Sequence, residues 1–239
     1  MPIINSTTNF RVLQWAKLKD KRQRDQKKQF IAEGYHLVAE AHKANCLKEV
    51  ITTEKHIGID VPTHQVTYEV MERLSSLATP TKALGICSAK PEAPYQNSIL
   101  LVDQIHHPGN LGTIIRNAVA FGVDTLVVSG SVDVYNQKVI QATQGMLFHI
   151  NILKRPIQAL VAELKTQGYQ IIGTDVTEGV CPKTIKPASK RALMLGNESE
   201  GLDASMLDLC DIKLKIEMDE KCESLNVGVA AGIILYCLA

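Results

Sequence analysis

The feature that most constrains this chain is the stretch LLVDQIHHPGNLGTIIRNAVAFGVDTLVV, residues 100–128, where an apolar run meets a Pro-Gly-Asn-x-Gly turn and then a helical pattern. Leu100, Leu101 and Val102 show no polar alternation, so they read as a strand covered on both faces, as in an α/β sheet. Pro108 and Gly109 stop the strand. Asn110 stands where an N-cap is expected, and the amides that follow would face outward at the positive end of the helix dipole, a corner suited to an anion or nucleotide. Ile114, Ile115, Ala118 and Val119 share a packing side, and Arg116 is displaced from it, free to meet a ligand. Taken alone, the segment fits an ordinary strand-turn-helix with a solvated arginine equally well.

Two further segments repeat the design. In ALMLGNESEGL, residues 192–202, an apolar strand ends in Gly196-Asn197-Glu198, and Gly201 follows. In IKLKIEMDEKCESLNVGVAAGIIL, residues 212–235, a strand ends near Ile216 to Met218, and Ser224-Leu225-Asn226 opens an apolar helix. Three strand ends therefore present small or polar residues, the place where open α/β sheets bind ligands.

The pattern along the chain is α/β throughout. A helix over 9–27, strand over 28–33, helix over 35–45 and strand over 48–53 suggest a small α/β layer within residues 1–90. KPEAPYQNS, residues 90–98, has two prolines and little apolar content, which makes 91–98 the linker. From 99 to 239, helices near 110–121, 157–167 and 224–238 alternate with strands near 99–103, 124–129, 169–174, 192–195 and 211–216, giving a mostly parallel sheet. The last helix, with Leu225, Val227, Val229, Ala230, Ile233, Ile234, Leu235 and Leu238, has hardly any polar face and must be covered nearly all round. A homodimer interface is the favoured cover, with burial inside one subunit the alternative.

With 45% hydrophobic and 21% charged residues the chain is globular. No apolar run reaches the roughly 18 residues of a membrane span, and the N-terminus lacks the regions of a signal peptide. The six cysteines, Cys46, Cys87, Cys181, Cys210, Cys222 and Cys237, are scattered without a C-x-x-C pair, so free thiols and a cytoplasmic location are expected. His106 and His107 lack an acidic or cysteine partner at ligand spacing, and no metal is expected. Neither G-x-G-x-x-G, nor G-x-x-x-x-G-K-[ST], nor G-x-S-x-G occurs, which disfavours dinucleotide binding, P-loop hydrolysis and serine hydrolysis. A net charge of +1 argues against a non-specific nucleic-acid coat, yet between Arg11 and Lys28 eight bases (Arg11, Lys17, Lys19, Lys21, Arg22, Arg24, Lys27, Lys28) face two acids (Asp20, Asp25), a local +6. That segment reads either as a solvated face or as a salt-sensitive phosphate-binding patch for RNA.

Together the three strand ends resemble the signature motifs of the SpoU (TrmH-type) RNA 2′-O-ribose methyltransferases of the SPOUT class. Asn-x-Gly-x-x-x-Arg is met by Asn110, Gly112 and Arg116; Gly-Asn-Glu-x-x-Gly-Leu by Gly196, Asn197, Glu198, Gly201 and Leu202; Ser-Leu-Asn-Val-x-x-Ala by Ser224, Leu225, Asn226, Val227 and Ala230. The likeness covers residues 99–239. It implies a trefoil-knotted catalytic domain behind a small RNA-binding domain, S-adenosylmethionine as cofactor, a homodimer, and RNA as substrate, ribosomal in preference to transfer RNA. Where members often have Pro after the strand-ending Ile, this chain has Glu217, which would put a charge near the cofactor pocket; Gln141-Ala142-Thr143 and Gly145-Met146 also depart from the pattern.

By the same resemblance Arg116 is the catalytic residue at the 2′-hydroxyl. Arginine keeps its proton to above about pH 12, so it would either accept a proton transiently in a dry site or stabilise the alkoxide and grip the adjacent phosphate bidentately. Asn110, Glu198, Ser224 and Asn226 would orient Arg116 and the nucleotide, with Glu198 as ion-pair partner. Gly196, Asn197, Ile216, Met218 and Leu225 would contact the cofactor, chiefly through backbone groups. A non-catalytic RNA-binding or ribosome-assembly protein on this fold is the alternative, followed by base methylation.

Overall fold

In the computed structural model, which describes residues 2–239, the chain divides into two compact units. The first comprises residues up to Pro91 together with Asp133–His149; the second comprises Glu92–Val132 and Ile150–Ala239.

The first unit opens with α1 (Phe10–Ala16), capped by Asn9, whose side chain accepts from the Arg11 amide. The single helix expected over 9–27 is two. Asp20 takes an extended backbone and caps α2 (Lys21–Lys27) by accepting from Gln23, so the chain turns at the acid that interrupts the basic run. Then follow β1 (Gln29–Glu33), α3 (Tyr35–Lys43), β2 (Leu47–Thr52), β3 (Thr63–Gln65), α4 (Tyr68–Leu74) and β4 (Ala83–Ser88). The sheet runs β1-β4-β2-β3, with only β2 and β3 parallel. Val12, Trp15 and Leu18 pack with Val70, Met71 and Leu74 against Ile31, Ile51, Leu84 and Ile86. Such alternate residues share a strand face, and their near-complete burial is the main source of stability in this unit.

The second unit begins with β5 (Ser98–Asp103), α5 (Pro108–Ala120) and β6 (Thr125–Ser129). The chain then lends α6 (Gln137–Thr143) to the first unit, where Tyr135 and Phe148 stack on Phe30 at 4.6 and 6.0 Å and Asp133 pairs with Arg24 at 2.7 Å. Residues 133–149 were expected within the 99–239 domain. They pack with the first unit because their aromatic and acidic side chains find complementary partners there. The second unit resumes with β7 (Asn151–Lys154), α7 (Ile157–Thr166), β8 (Gln170–Thr174), β9 (Arg191–Leu195), α8 (Ala204–Leu207), β10 (Ile212–Leu214) and α9 (Val227–Leu238).

Its six strands are all parallel, in the order β10-β8-β9-β5-β6-β7. The chain winds outward from β5 to β7, returns on the other side at β8, and inserts β9 between β8 and β5. Adjacent strands thus lead away in opposite directions, and the crevice at their carboxyl ends is the ligand position of open α/β sheets. Ile99, Leu101, Val127, Ala192 and Met194 form one core layer with Ile157, Leu160, Val161 and Leu164 of α7. α5 and α9 pack together: a Cβ on Gly228 would lie 3.0 Å from Thr113, and one on Gly232 would lie 2.9 Å from Asn117, so the glycines permit the close approach. No helix among the described residues is long and apolar enough to cross a membrane.

Candidate active site

The loop after β9 is shaped by backbone sterics. Asn197 and Gly201 exchange two backbone hydrogen bonds of 3.0 Å, and Gly201 sits at φ 72°, a conformation that favours glycine. A Cβ at Gly196 would fall 2.2 Å from the Gly201 carbonyl, so no side chain fits there. The Asn197 carboxamide accepts from the Ser199 amide at 2.8 Å and donates to the Gln104 carbonyl at 3.1 Å, fastening this loop to the one after β5.

That fastening aims Glu198 at the start of α5. Its carboxylate accepts from the backbone amides of His106 (3.3 Å) and His107 (3.0 Å) and from the Asn110 carboxamide (3.2 Å). Burial works to raise the Glu198 pKa, but these donors outweigh it and hold the carboxyl below its ordinary range. α5 begins at Pro108 with His107 as N-cap, so Asn110, expected as the cap, lies inside the first turn. Proline at the first helical position has its φ preset and loses no hydrogen bond there. Asn110 is thereby freed to accept from the Asn226 carboxamide at 2.8 Å, and Asn226 in turn caps α9 by accepting from Gly228 (2.9 Å) and Val229 (3.3 Å). Asn117, on the next turns of α5, donates to the Gly228 carbonyl at 2.9 Å. Glu198, Asn110 and Asn226 form one hydrogen-bond chain through all three sequence motifs.

Beside this chain lies a cleft between the β8, β9 and β10 ends and the start of α9. Gly196, Asn197, Glu198, Ile216, Met218, Ser224 and Leu225 all line it. The strand expected to reach 216 ends at Leu214, and α9 begins at Val227, so residues 215–226 are an irregular loop whose side chains form one wall. Glu217 is exposed and is absent from the lining, although its neighbours on both sides belong to it. The charge expected near the pocket stands next to two lining residues without itself joining the lining. Arg116 is exposed on α5 and is also absent from the lining. The expected Arg116–Glu198 ion pair is not among the contacts of the described residues, because Glu198 is taken up by three N–H donors.

Thr174 and Asp175, at the end of β8, line the cleft and were missed from sequence. The signal was available: the rule that selected three strand ends applies to the fourth. Burial opposes ionisation of Asp175, but hydrogen bonds from the Thr177 amide and hydroxyl keep its carboxyl low. Among the described residues no group of His, Cys, Asp and Glu could hold a metal ion, and all six cysteines are free.

The basic segment is divided by packing. Arg24 is buried, paired with Asp133 and donating to the carbonyls of Leu18 and Lys19. Lys19 donates to the carbonyls of Arg73 and Ser75, and Arg11 to His64. Lys17, Lys21, Arg22 and Lys28 are exposed.

Comparison with known proteins agrees on one group. A family model described as the SpoU rRNA Methylase family matches residues 97–236, and one described as the MRM3-like substrate binding domain matches residues 9–85. The chain is 35% identical over its whole length to the 23S rRNA (guanosine(2553)-2'-O)-methyltransferase RlmP of Bacillus subtilis, covering 99% of that protein. Among solved structures it is similar to an RNA 2'-O ribose methyltransferase, with TM-score 0.85, 25% identity and 99% and 97% of the two chains covered. An AdoMet-bound rRNA methyltransferase from Sinorhizobium meliloti gives TM-score 0.86 and 25% identity, with 99% and 96% covered.

Proposed function

The chain belongs to the SpoU rRNA methylase family, and from that premise we propose that it methylates a ribose 2′-hydroxyl of ribosomal RNA in the cytoplasm. The observation that carries this reading is the Glu198–Asn110–Asn226 chain, which fixes the three motif loops around one cleft at the strand ends. The cleft fits S-adenosylmethionine: Leu195, Ile216, Leu225 and Ile234 offer apolar surface to a purine, beside the polar backbone of the 196–201 loop. When bound, that cofactor supplies an electrophilic methyl group.

The chain's own residues then have to bind, orient and manage one proton. We assign Gly196, Asn197, Ile216, Met218 and Leu225 to cofactor contact. Arg116 is assigned to the 2′-hydroxyl, where its guanidinium stabilises the developing alkoxide and grips the neighbouring phosphate bidentately; a lysine would not match that geometry. Glu198, Asn110 and Asn226 act as positioning residues that fix the start of α5, the helix that carries Arg116, and Ser224, in the cleft lining, is assigned to orienting the nucleotide. The first unit is read as the RNA-recruiting domain, using the exposed Lys17, Lys21, Arg22 and Lys28. The segment from 196 to 226 is read as part of the trefoil knot. Val229, Ile233 and Tyr236 leave an apolar stripe of α9 exposed, which supports a homodimer. Glu217, outside the cleft lining, gives no reason to prefer a binding-only protein.

The test is transfer of labelled methyl from S-adenosylmethionine to ribosomal and transfer RNA fractions, followed by nucleoside digestion. A guanosine of 23S rRNA, the kind of nucleotide named for the Bacillus subtilis relative, is the first product to look for. Arg116→Ala and Arg116→Lys should abolish transfer while binding cofactor with near-normal affinity, since Arg116 does not line the cleft. Label in a base, or in transfer RNA alone, would overturn the substrate reading.

A further inference from the structure

The first unit carries a groove that the methyl-transfer site does not use. It is lined by Phe10, Arg11, Gln14, Lys27 and Gln29, with Trp15 and Glu49 at its floor. Phe10 is 74% exposed at the start of α1, although Trp15 on the same helix is only 4% exposed in the core. Helix formation at that position requires no aromatic ring, and folding gains little from a ring left in water.

Arg11, the next residue, is held from behind. Its guanidinium Nη1 lies 3.0 Å from His64 Nδ1, His64 Nε2 lies 2.8 Å from Glu49 Oε2, and Glu49 Oε1 accepts from the Trp15 indole at 3.0 Å. Nη1 also lies 3.3 Å from His64 Nε2, so the guanidinium rests against both ring nitrogens. His64 is buried, and its ring lies 5.3 Å from that of Trp15. A side chain that would ordinarily sample many rotamers is thereby preorganised, and much of the entropy of fixing it is lost before a ligand arrives. Lys27 donates to Gln14 Oε1 at 2.8 Å, which brings a second cation to the groove.

An exposed ring sharing a groove with two held cations and two carboxamides matches an unpaired nucleotide: the base stacks on the ring and the phosphate meets the cations. A duplex presents phosphates but no free base face, so it would leave Phe10 idle. We infer that this groove binds an unpaired nucleotide of the RNA substrate, with Phe10 as the stacking surface and Arg11 and Lys27 as the phosphate contacts. The inference rests on the reading of the protein as an RNA methyltransferase and adds a second contact point to it.

The test uses the full chain with a fluorescein-labelled unstructured oligoribonucleotide and a blunt-ended duplex of the same length. Phe10→Ala should weaken binding of the unstructured strand by about fivefold to a hundredfold, Phe10→Trp should restore it, and duplex binding should be unchanged. Arg11→Ala should reduce the slope of log affinity against log salt by about one, which Phe10→Ala should not. The thermal midpoint of Phe10→Ala should match that of the wild type, because the ring is exposed. Unchanged affinity of Phe10→Ala for the unstructured strand, or an equal loss for strand and duplex, overturns the inference. The oligonucleotide arm reads the groove whether or not methyl transfer is detected, so failure of the enzymatic reading and failure of the groove are separate results.

Discussion

Glu198 is the residue on which the site's order depends. Its two oxygens take three N–H donors, and two of these are backbone amides that no other acceptor is seen to satisfy. Glu198→Gln would turn an N–H group toward one of them, displacing the 104–107 loop and the start of α5; methyl transfer should fall roughly a hundredfold, the cost of ångström-scale misplacement. Because the folded carboxyl lies below its ordinary range, its contribution to stability is complete above the unfolded pKa of about 4.3 and is lost as pH falls through the folded value. The thermal midpoints of wild type and Glu198→Gln, measured across pH, should therefore converge in acid; a constant gap would remove the ionic account. Arg24 is a different case, since both members of its ion pair are more than nine-tenths buried. Arg24→Ala takes a buried cation away from Asp133 and should cost about 3–5 kcal/mol, read from urea denaturation. The residue types of both sites were visible in the sequence. The displacement of Arg116 from the packing side of its helix was visible too, but the sealing-in of Arg24 was not, because identical side chains differ only in what the rest of the chain brings to them.

At the scale of elements, the strand-end loops decide the chemistry and are fixed by backbone more than by side chains. Gly196→Ala would drive a Cβ to 2.2 Å from the Gly201 carbonyl, so the 196–201 loop must open. Titration calorimetry with S-adenosylmethionine should show binding lost, while α7 and its core layer keep the sheet folded. Retention of normal affinity would show that the loop does not touch cofactor. The apolar runs that became β5, β6, β8 and β9 were legible because strands buried on both faces carry unbroken hydrophobic sequence. The expected single helix over 9–27 failed at Asp20, where a capping side chain outweighed the continuity of the basic run. β3, α4, β4, α6, β7 and α8 went unnoticed: all are short elements, of at most seven residues, whose stability comes largely from their neighbours.

For the whole molecule, the open question is how α9 is covered. Gly228, Ala231, Ile234, Leu235 and Leu238 are buried, while Val229, Ile233 and Tyr236 are 50%, 37% and 72% exposed on the opposite stripe. If a second copy covers that stripe, Val229→Asp combined with Tyr236→Asp should convert a dimer to a monomer in sedimentation velocity and lower methyl transfer; a wild type that sediments as a monomer would sink the dimer reading. The sequence by itself determined the parallel α/β class, three motif-bearing strand ends and their order along the chain, because hydrophobic runs, capping residues and glycine-dependent turns act over a few neighbouring residues. Only the tertiary structure decided that Glu198 meets the amides before α5 and not Arg116, that half of a basic segment is tied into the fold, and that residues 133–149 complete the first unit. Those outcomes depend on which distant donors, acceptors and rings are brought within hydrogen-bonding or packing distance, and separations of ninety or more residues along the chain leave no local trace of that pairing.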